Sequence, residues 1–313
     1  MKKAALLLLS LIMLLNCAAC SASEAPAPAQ SAPEGVSFTD DLGREVTVTS
    51  CSRVAALIGS FADVWCLAGG KDTLVAAAND AWTSFDLNLS DEVVNLGAIK
   101  SPNLEALLAA QPDFVIGSCN TQADIDLEPT LTAAGITVAY FDVQSFADYL
   151  NMLSVCTMLT GKPELYERYG TALQERIDAT IARQDGSSPT VLCVRATGTS
   201  VKVRGSRDNL LGEMAAELGC VNVADSETSL LDNLSMEAII RAQPDYIFVV
   251  VQGADPTEAE TLLESTLLSN PAWSTLTAVR EGRYHVLDNA LYNLKPNARW
   301  GEAYEELSQI LYP

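Results

Sequence analysis

The chain has 313 residues, with 40 acidic against 19 basic side chains and a formal net charge of −21, a length that fits about two domains of ordinary size. A charge this negative repels phosphate backbones, and no basic face with interleaved aromatics answers it, which argues against nucleic-acid binding. No GxxxxGK[ST] or GxGxxG loop is present and there is one histidine, His285, so composition argues against most enzymes as well.

The first elements are an address and a leash. Met1-Lys2-Lys3 is a short basic region followed by an apolar run from Ala4 to Leu15. As a helix that run rises only about 18 Å, short of a bilayer core of about 30 Å, so residues 1–19 read as an export signal. Its end, Leu14-Leu15-Asn16-Cys17-Ala18-Ala19-Cys20, resembles a bacterial lipoprotein processing site. The resemblance implies cleavage before a cysteine that then carries lipid, with Cys20, behind two alanines, favoured over Cys17. Residues 20–36 are Ala/Pro/Ser-rich without apolar periodicity and read as a flexible tether. A lipid-anchored protein on such a leash works beside a membrane without spanning it.

Residues 37–144 are expected to form a first α/β lobe. Within it, residues 102–116 (PNLEALLAAQPDFVI) read as a helix capped by Asn103, stopped by Pro112-Asp113 and followed by a buried strand. Residues 145–186 read as a helical linker: an amphipathic helix from Ser145 to Leu159 broken by Gly161, then a second segment opened by Pro163 and running to about Gln184. That second segment would extend about 33 Å, enough to bridge two lobes and to allow only a small hinge motion.

The second lobe, residues 187–313, opens with an apolar strand from Pro189 to Arg195 and then repeats the first. Shifted by 132 positions, residues 234–248 (LSMEAIIRAQPDYIF) match residues 102–116 at six of fifteen positions, with Ser235 as the cap and Pro244-Asp245 as the stop. A further echo links residues 135–142 with residues 282–288. Tandem helix–strand units call for two similar lobes with mostly parallel sheets covered by helices, joined here by a long interdomain helix. His285 lies in the Tyr284–Leu287 strand pattern and reads as a core or edge residue. One histidine cannot build a multi-histidine site for a bare zinc or manganese ion. The six cysteines beyond the address, Cys51, Cys66, Cys119, Cys156, Cys193 and Cys220, have no CxxC spacing and read as small buried hydrophobes, with disulfide pairing left open.

The ordered set of segments resembles the class III substrate-binding proteins of ABC importers, the group serving iron-siderophores, haem and vitamin B12. The resemblance runs from residues 38–48 (FTDDLGREVTV) through the two Glu-containing helices with their Gln-Pro-Asp ends to residues 295–299 (KPNAR), which look like that family's Arg-Pro-Ser-Pro-Arg segment. It implies a ligand in a cleft between two α/β lobes, delivered to an ABC permease and its ATPase. It also implies one docking glutamate per lobe, which map to Glu105 and Glu237. Each also suits the second position of a helix, where the dipole favours a carboxylate by about 0.3–1 kcal/mol.

For the pocket, strand-end loops face the cleft in open α/β sheets. Candidates in the first lobe are Gly59-Ser60-Phe61, Asn79-Asp80-Ala81-Trp82 and Gly117-Ser118-Cys119-Asn120, with Trp82 as a flat apolar wall or else a core residue. In the second lobe, Arg195, Lys202, Arg204 and Arg207 make a dense positive cluster, either an anion site or an ordinary hairpin face. Tyr292 and Arg299 complete the ligand-binding candidates Trp82, Arg204, Arg207, Tyr292 and Arg299. No catalytic or metal-ligating set is expected, and no permanently bound cofactor; the cargo implied is an Fe(III)-siderophore, haem or corrinoid, on a monomer. A hydrolase would need a Gly-x-Ser-x-Gly elbow or a histidine in a motif, and neither is present. A ligand-sensing surface lipoprotein of the same fold is the alternative function.

Overall fold

The computed structural model describes residues 35–313 apart from Asp208, Asn233, Ala254 and Asp255. The export signal, both candidate lipidation cysteines and all but the end of the tether lie outside the described residues. The expected tether runs to residue 36, but Val36 already belongs to a strand. β1 (Val36–Thr39) pairs antiparallel with β2 (Glu45–Val48), because the turn between them is closed by Asp40, whose carboxylate accepts from the Leu42 and Arg44 amides at 3.1 and 3.0 Å.

The first sheet contains β3 (Val54–Ala56), β4 (Leu74–Ala77), β5 (Val94–Asn95), β6 (Phe114–Ser118) and β7 (Thr137–Phe141), all parallel, in the order β5-β4-β3-β6-β7. The second contains β8 (Thr190–Thr197), β9 (Ser200–Arg204), β10 (Val221–Asn222), β11 (Tyr246–Val251) and β12 (Tyr284–Leu287). Its parallel path is β10-β8-β11-β12, with β9 folded back antiparallel on β8. The central strands are buried along nearly their whole length, as parallel strands covered on both faces must be.

The sequence repeat has a structural meaning in detail. Helices Leu104–Ala109 and Met236–Ala242 start on Asn103 and Ser235, whose side chains accept from Ala106 N and Ala238 N. Both units then place a glutamine in the left-handed region, Gln111 at φ 49° and Gln243 at φ 41°. The following proline disfavours another helical residue there, so the chain leaves the helix at the same point twice. The aspartate after each proline pins the start of the neighbouring strand. Asp113 accepts from Ser52 N at 3.0 Å and Arg53 N at 3.1 Å, just before β3. Asp245 accepts from Thr190 N at 2.9 Å and Thr190 Oγ1 at 2.7 Å, at the first residue of β8. The later echo is β7 and β12, each entered through a positive-φ glycine, Gly135 and Gly282.

Between the sheets lies the helix Phe146–Thr160, closed at its N-terminus by a reciprocal Ser145–Asp148 capping box and at its C-terminus by Gly161 at φ 67°. The second helical segment runs Pro163–Ile181, a little shorter than expected, and is interrupted by a π turn at Glu167–Thr171. Gly170 in that turn is buried against Leu150, where an added Cβ would meet Leu150 Cδ2 at 3.1 Å. The last helix, Trp300–Leu311, packs on Ala172–Ile181, with Arg176 bridging to Glu305.

One apolar cluster joins the two lobes through these helices. It includes Phe61 and Phe114 from the first lobe, Val191 and Phe248 from the second, and Tyr149 and Trp300 between them. Each sheet has a separate cluster on its other face. A continuous core through the junction stiffens the hinge, since close-packed interiors resist small displacements. All six cysteines are free thiols among the described residues, with Cys156, Cys193 and Cys220 buried.

Candidate functional site

In both sheets the parallel strands run toward the same junction, and their ends meet across a cleft of about 300 Å³. The first lobe contributes Ser60 and Phe61 after β3, Asp80 after β4 and Ser118 and Asn120 at the end of β6. The second contributes Arg195 from β8, Gln252 after β11, and Asn293 and Lys295 beyond β12. The three first-lobe loops singled out by sequence each reach this cleft, and of the second-lobe basic cluster Arg195 does.

Two cations face this cleft, and both come from the second lobe. Neither Arg195 nor Lys295 has an ion pair among the described residues. Burial draws the Lys295 ammonium below its usual range, while Asp142, Asp148 and Glu213 pull the other way. In the first lobe a carboxyl lies under the floor: Asp124 is 0% exposed and its Oδ2 accepts from Ser118 N at 2.9 Å. Its Oδ1 is buried with no partner. Burial pushes this carboxyl up to about 7; the Ser118 amide opposes that shift and the charge of Asp80 adds to it.

The junction beneath the cleft is fastened by Asn297. This residue is 0% exposed and sits at φ 49°, a left-handed conformation that asparagine tolerates better than most residues. Its Nδ2 donates to Ser60 O at 3.0 Å and to Asp63 Oδ2 at 2.8 Å, tying the segment before the last helix to the first helix of the other lobe, Gly59–Leu67. Burial raises the Asp63 carboxyl above its usual range, and the Asn297 hydrogen bond counters it.

The other sequence candidates land elsewhere. Trp82 does not line the cleft; it packs against the central core, with Phe61 and Phe85 forming the apolar wall instead. Two positions along a helix is about 200° of rotation, so in Asp80–Thr83 the face that presents Asp80 turns Trp82 away. Arg299 is also outside the lining, held by Glu302 in two hydrogen bonds of 2.7 Å one turn along the last helix. Tyr292 is 1% exposed and donates its hydroxyl to Ala303 O at 2.9 Å, a core role. Its ring also lines a tight space behind the β8–β9 hairpin, together with Arg195 and Arg204. Arg204 and Arg207 line a separate pocket on the second lobe. His285 lies on the edge strand β12, its ring 6.4 Å from Tyr246 and 5.9 Å from Phe248. Burial lowers its pKa.

Sequence reasoning missed Lys295 and Asn297 as members of the site. The signal available for Lys295 was its place just after the last strand in a chain poor in lysine, within the segment already singled out as family-like.

Glu105 and Glu237 each occupy the second position of their helices, are exposed, and have no ion pair among the described residues. Each helix runs back against the strand that follows it, so its N-terminus lies at the sheet end where strands finish, the cleft side. The hydrogen bond from Asn103 N to Leu96 O, 2.8 Å, fixes this for the first lobe.

Two repeated α/β lobes around a shared cleft, joined by helices and a continuous core, define a two-lobed binding protein. The chain belongs to the periplasmic binding protein family, whose sequence model matches residues 54–291; this is the class III group of ABC-importer substrate-binding proteins that the sequence resembles. Among curated relatives it is 22% identical over 311 residues to a putative ABC transporter substrate-binding lipoprotein, YhfQ of Bacillus subtilis, covering 94% of this chain and 93% of that one. It is also 22% identical over 291 residues to the Fe(3+)-citrate-binding protein YfmC of the same organism, covering 90% and 87%. Among solved structures, the periplasmic haem-binding protein HutB of Vibrio cholerae superposes with a TM-score of 0.68 at 21% identity, covering 84% of this chain and all of that one. No helix among the described residues is long and apolar enough to cross a membrane.

Proposed function

We propose that this protein is an extracytoplasmic lipoprotein, anchored through Cys20, that captures a compact anionic Fe(III)-siderophore in the interlobe cleft and delivers it to an ABC permease and its ATPase. The observation that carries this reading is the pair Arg195 and Lys295: two cations with no ion pair among the described residues, facing the cleft in a chain of net charge −21. A guanidinium matches planar anionic groups and an ammonium adds a point charge beside it. The described residues that line the cleft include no histidine, cysteine, methionine or tyrosine, so they offer no axial ligand of the kind that holds haem iron. A metal already wrapped in its own ligand needs none. About 300 Å³ is also the small end of ligand-site volumes, about 300–1,000 Å³, which favours a compact chelate over a tetrapyrrole or corrinoid. The names of relatives agree with the class: one binds Fe(3+)-citrate and another haem.

No chemistry on the cargo is proposed; the work of the monomer is binding, slight closure and handover. Glu105 and Glu237 would meet basic residues of the permease, one per lobe, setting orientation and association rate. The test is a tryptophan-fluorescence titration against ferric siderophores, ferric citrate, haemin and cobalamin, with metal-free siderophores as controls. Saturable submicromolar binding of a ferric chelate, with haemin and cobalamin silent, is the expected result. Binding of haemin or cobalamin alone would overturn the choice of cargo.

A further inference from the structure

Most arginines among the described residues are spoken for. Arg44, Arg176, Arg241, Arg283 and Arg299 pair with carboxylates, Arg53 and Arg183 donate to oxygens, and Arg168 lies over the Tyr169 ring. Arg195, Arg204, Arg207 and Arg280 have no such side-chain partner, and three of these four belong to the β8–β9 hairpin and the turn that leaves it. Arg195 faces the interlobe cleft. Arg204 and Arg207 line a different cavity of about 520 Å³, together with Asp225, Thr228 and Leu231. The space between the two cavities, bordered by Arg195, Arg204 and Tyr292, is too tight to pass a ligand.

The outer cavity is built on fixed backbone. β9 is held in register on β8, with Arg204 opposite Cys193. Asn222 Nδ2 donates to Arg204 O at 2.9 Å, and Ser206 N donates to Asp225 Oδ1 at 2.9 Å, so the segment carrying the arginines is tied to the segment carrying Asp225. Arg204 has its Nε buried without an acceptor, and burial lowers its pKa. In a chain with 40 acidic residues, two guanidiniums that line one cavity without an ion pair among the described residues are available to an anion. Asp225 excludes a second full negative charge on its own side and welcomes a donor there. Thr228 adds a hydroxyl, and Leu231, 40% exposed, adds an apolar rim.

We propose that this cavity is a second ligand site, distinct from the interlobe cleft, that binds a small hydroxycarboxylate, its carboxylate on Arg204 and Arg207 and its hydroxyl turned to Asp225 and Thr228. The site does not depend on the identity of the cargo proposed for the cleft, and the two fail separately.

The test is calorimetric titration of the purified protein with malate, succinate and inorganic phosphate, on the wild type and on Arg207→Glu and Lys295→Glu. Arg207 is exposed, so its replacement leaves folding intact. The site predicts saturable 1:1 binding of malate, at least tenfold weaker in Arg207→Glu and within threefold of wild type in Lys295→Glu, with succinate weaker than malate. Malate binding lost in Lys295→Glu but kept in Arg207→Glu would place the anion in the cleft and overturn the proposal. Absence of saturable malate binding, or phosphate binding with malate silent, would overturn it equally.

Discussion

The two lobes are built from the same unit and used differently. In both, a capped helix with an exposed glutamate at its second position ends on a left-handed glutamine, and a Pro-Asp pair pins the adjacent strand. The strand orders β4-β3-β6-β7 and β10-β8-β11-β12 correspond. The difference lies beside the first strand of each unit. In the first lobe β3 leads directly into the helix Gly59–Leu67, whose start carries Ser60 and Phe61 into the cleft. In the second lobe β8, which carries Arg195, turns back as β9, and that inserted strand and the turn leaving it add Arg204 and Arg207. The first lobe therefore supplies a polar and apolar floor over buried carboxyls, and the second supplies the positive charge. Duplication fixes the scaffold, while the insertion and the strand-end loops set what each lobe recognises.

The largest expected effect tests what the lobes share. Glu105→Arg together with Glu237→Arg should abolish uptake in cells while leaving affinity for the cargo unchanged, with each single change giving a partial loss. Full uptake by the double variant would break the equivalence of the two helix tips. Next is the fastening between lobes. Asn297→Ala removes the donor to Ser60 O and to Asp63, leaving a half-buried carboxylate unmatched. It should cost about 3 kcal/mol of stability by denaturant unfolding, in line with losing a buried partner. Asn297→Asp keeps the left-handed tolerance but sets a carboxylate against Asp63, and should be no better.

A smaller effect separates the two pinning aspartates. Asp113→Ala strands the amides of Ser52 and Arg53, whereas Asp245→Ala strands one amide and one hydroxyl of Thr190. Both should destabilise by up to about 1–3 kcal/mol, with the second the larger, since the Asp245 bonds are half-buried and the Asp113 bonds exposed. Equal losses would mean that the shared motif, not the local donors, sets the cost. Smallest is a pH effect peculiar to the first lobe. A carboxyl raised from its ordinary value to about 7 favours the folded state only while protonated, so Asp124 withdraws stability as pH rises from about 4 to about 7. The unfolding midpoint of Asp124→Asn should therefore fall by a few degrees less than that of the wild type between pH 5 and pH 8. Parallel pH profiles would contradict an ionising Asp124.

Local pattern made much of this legible. Caps, proline stops, glycine ends and the 132-residue repeat are short-range signals, and the loops carrying Ser60, Phe61, Asp80, Ser118 and Asn120 follow from knowing where parallel strands finish. What pattern could not give is direction around a helix of one turn, which turns Trp82 away. Nor could it give the competition between partners: Arg299 has Glu302 three residues on, a pairing readable in the sequence that removes it from the cleft. The membership of Lys295 depends on a contact between chain ends more than two hundred residues apart, like that of Asn297 with Ser60. No local period encodes that distance.

The central claim is that the second lobe's cations hold the cargo. It is tested most directly by measuring the affinity of the tightest ferric chelate for the wild type, Arg195→Gln and Lys295→Gln, at low and at high salt. The account predicts a loss of at least tenfold for each variant and a wild-type affinity that weakens as salt rises. Unchanged affinity in both variants would contradict it.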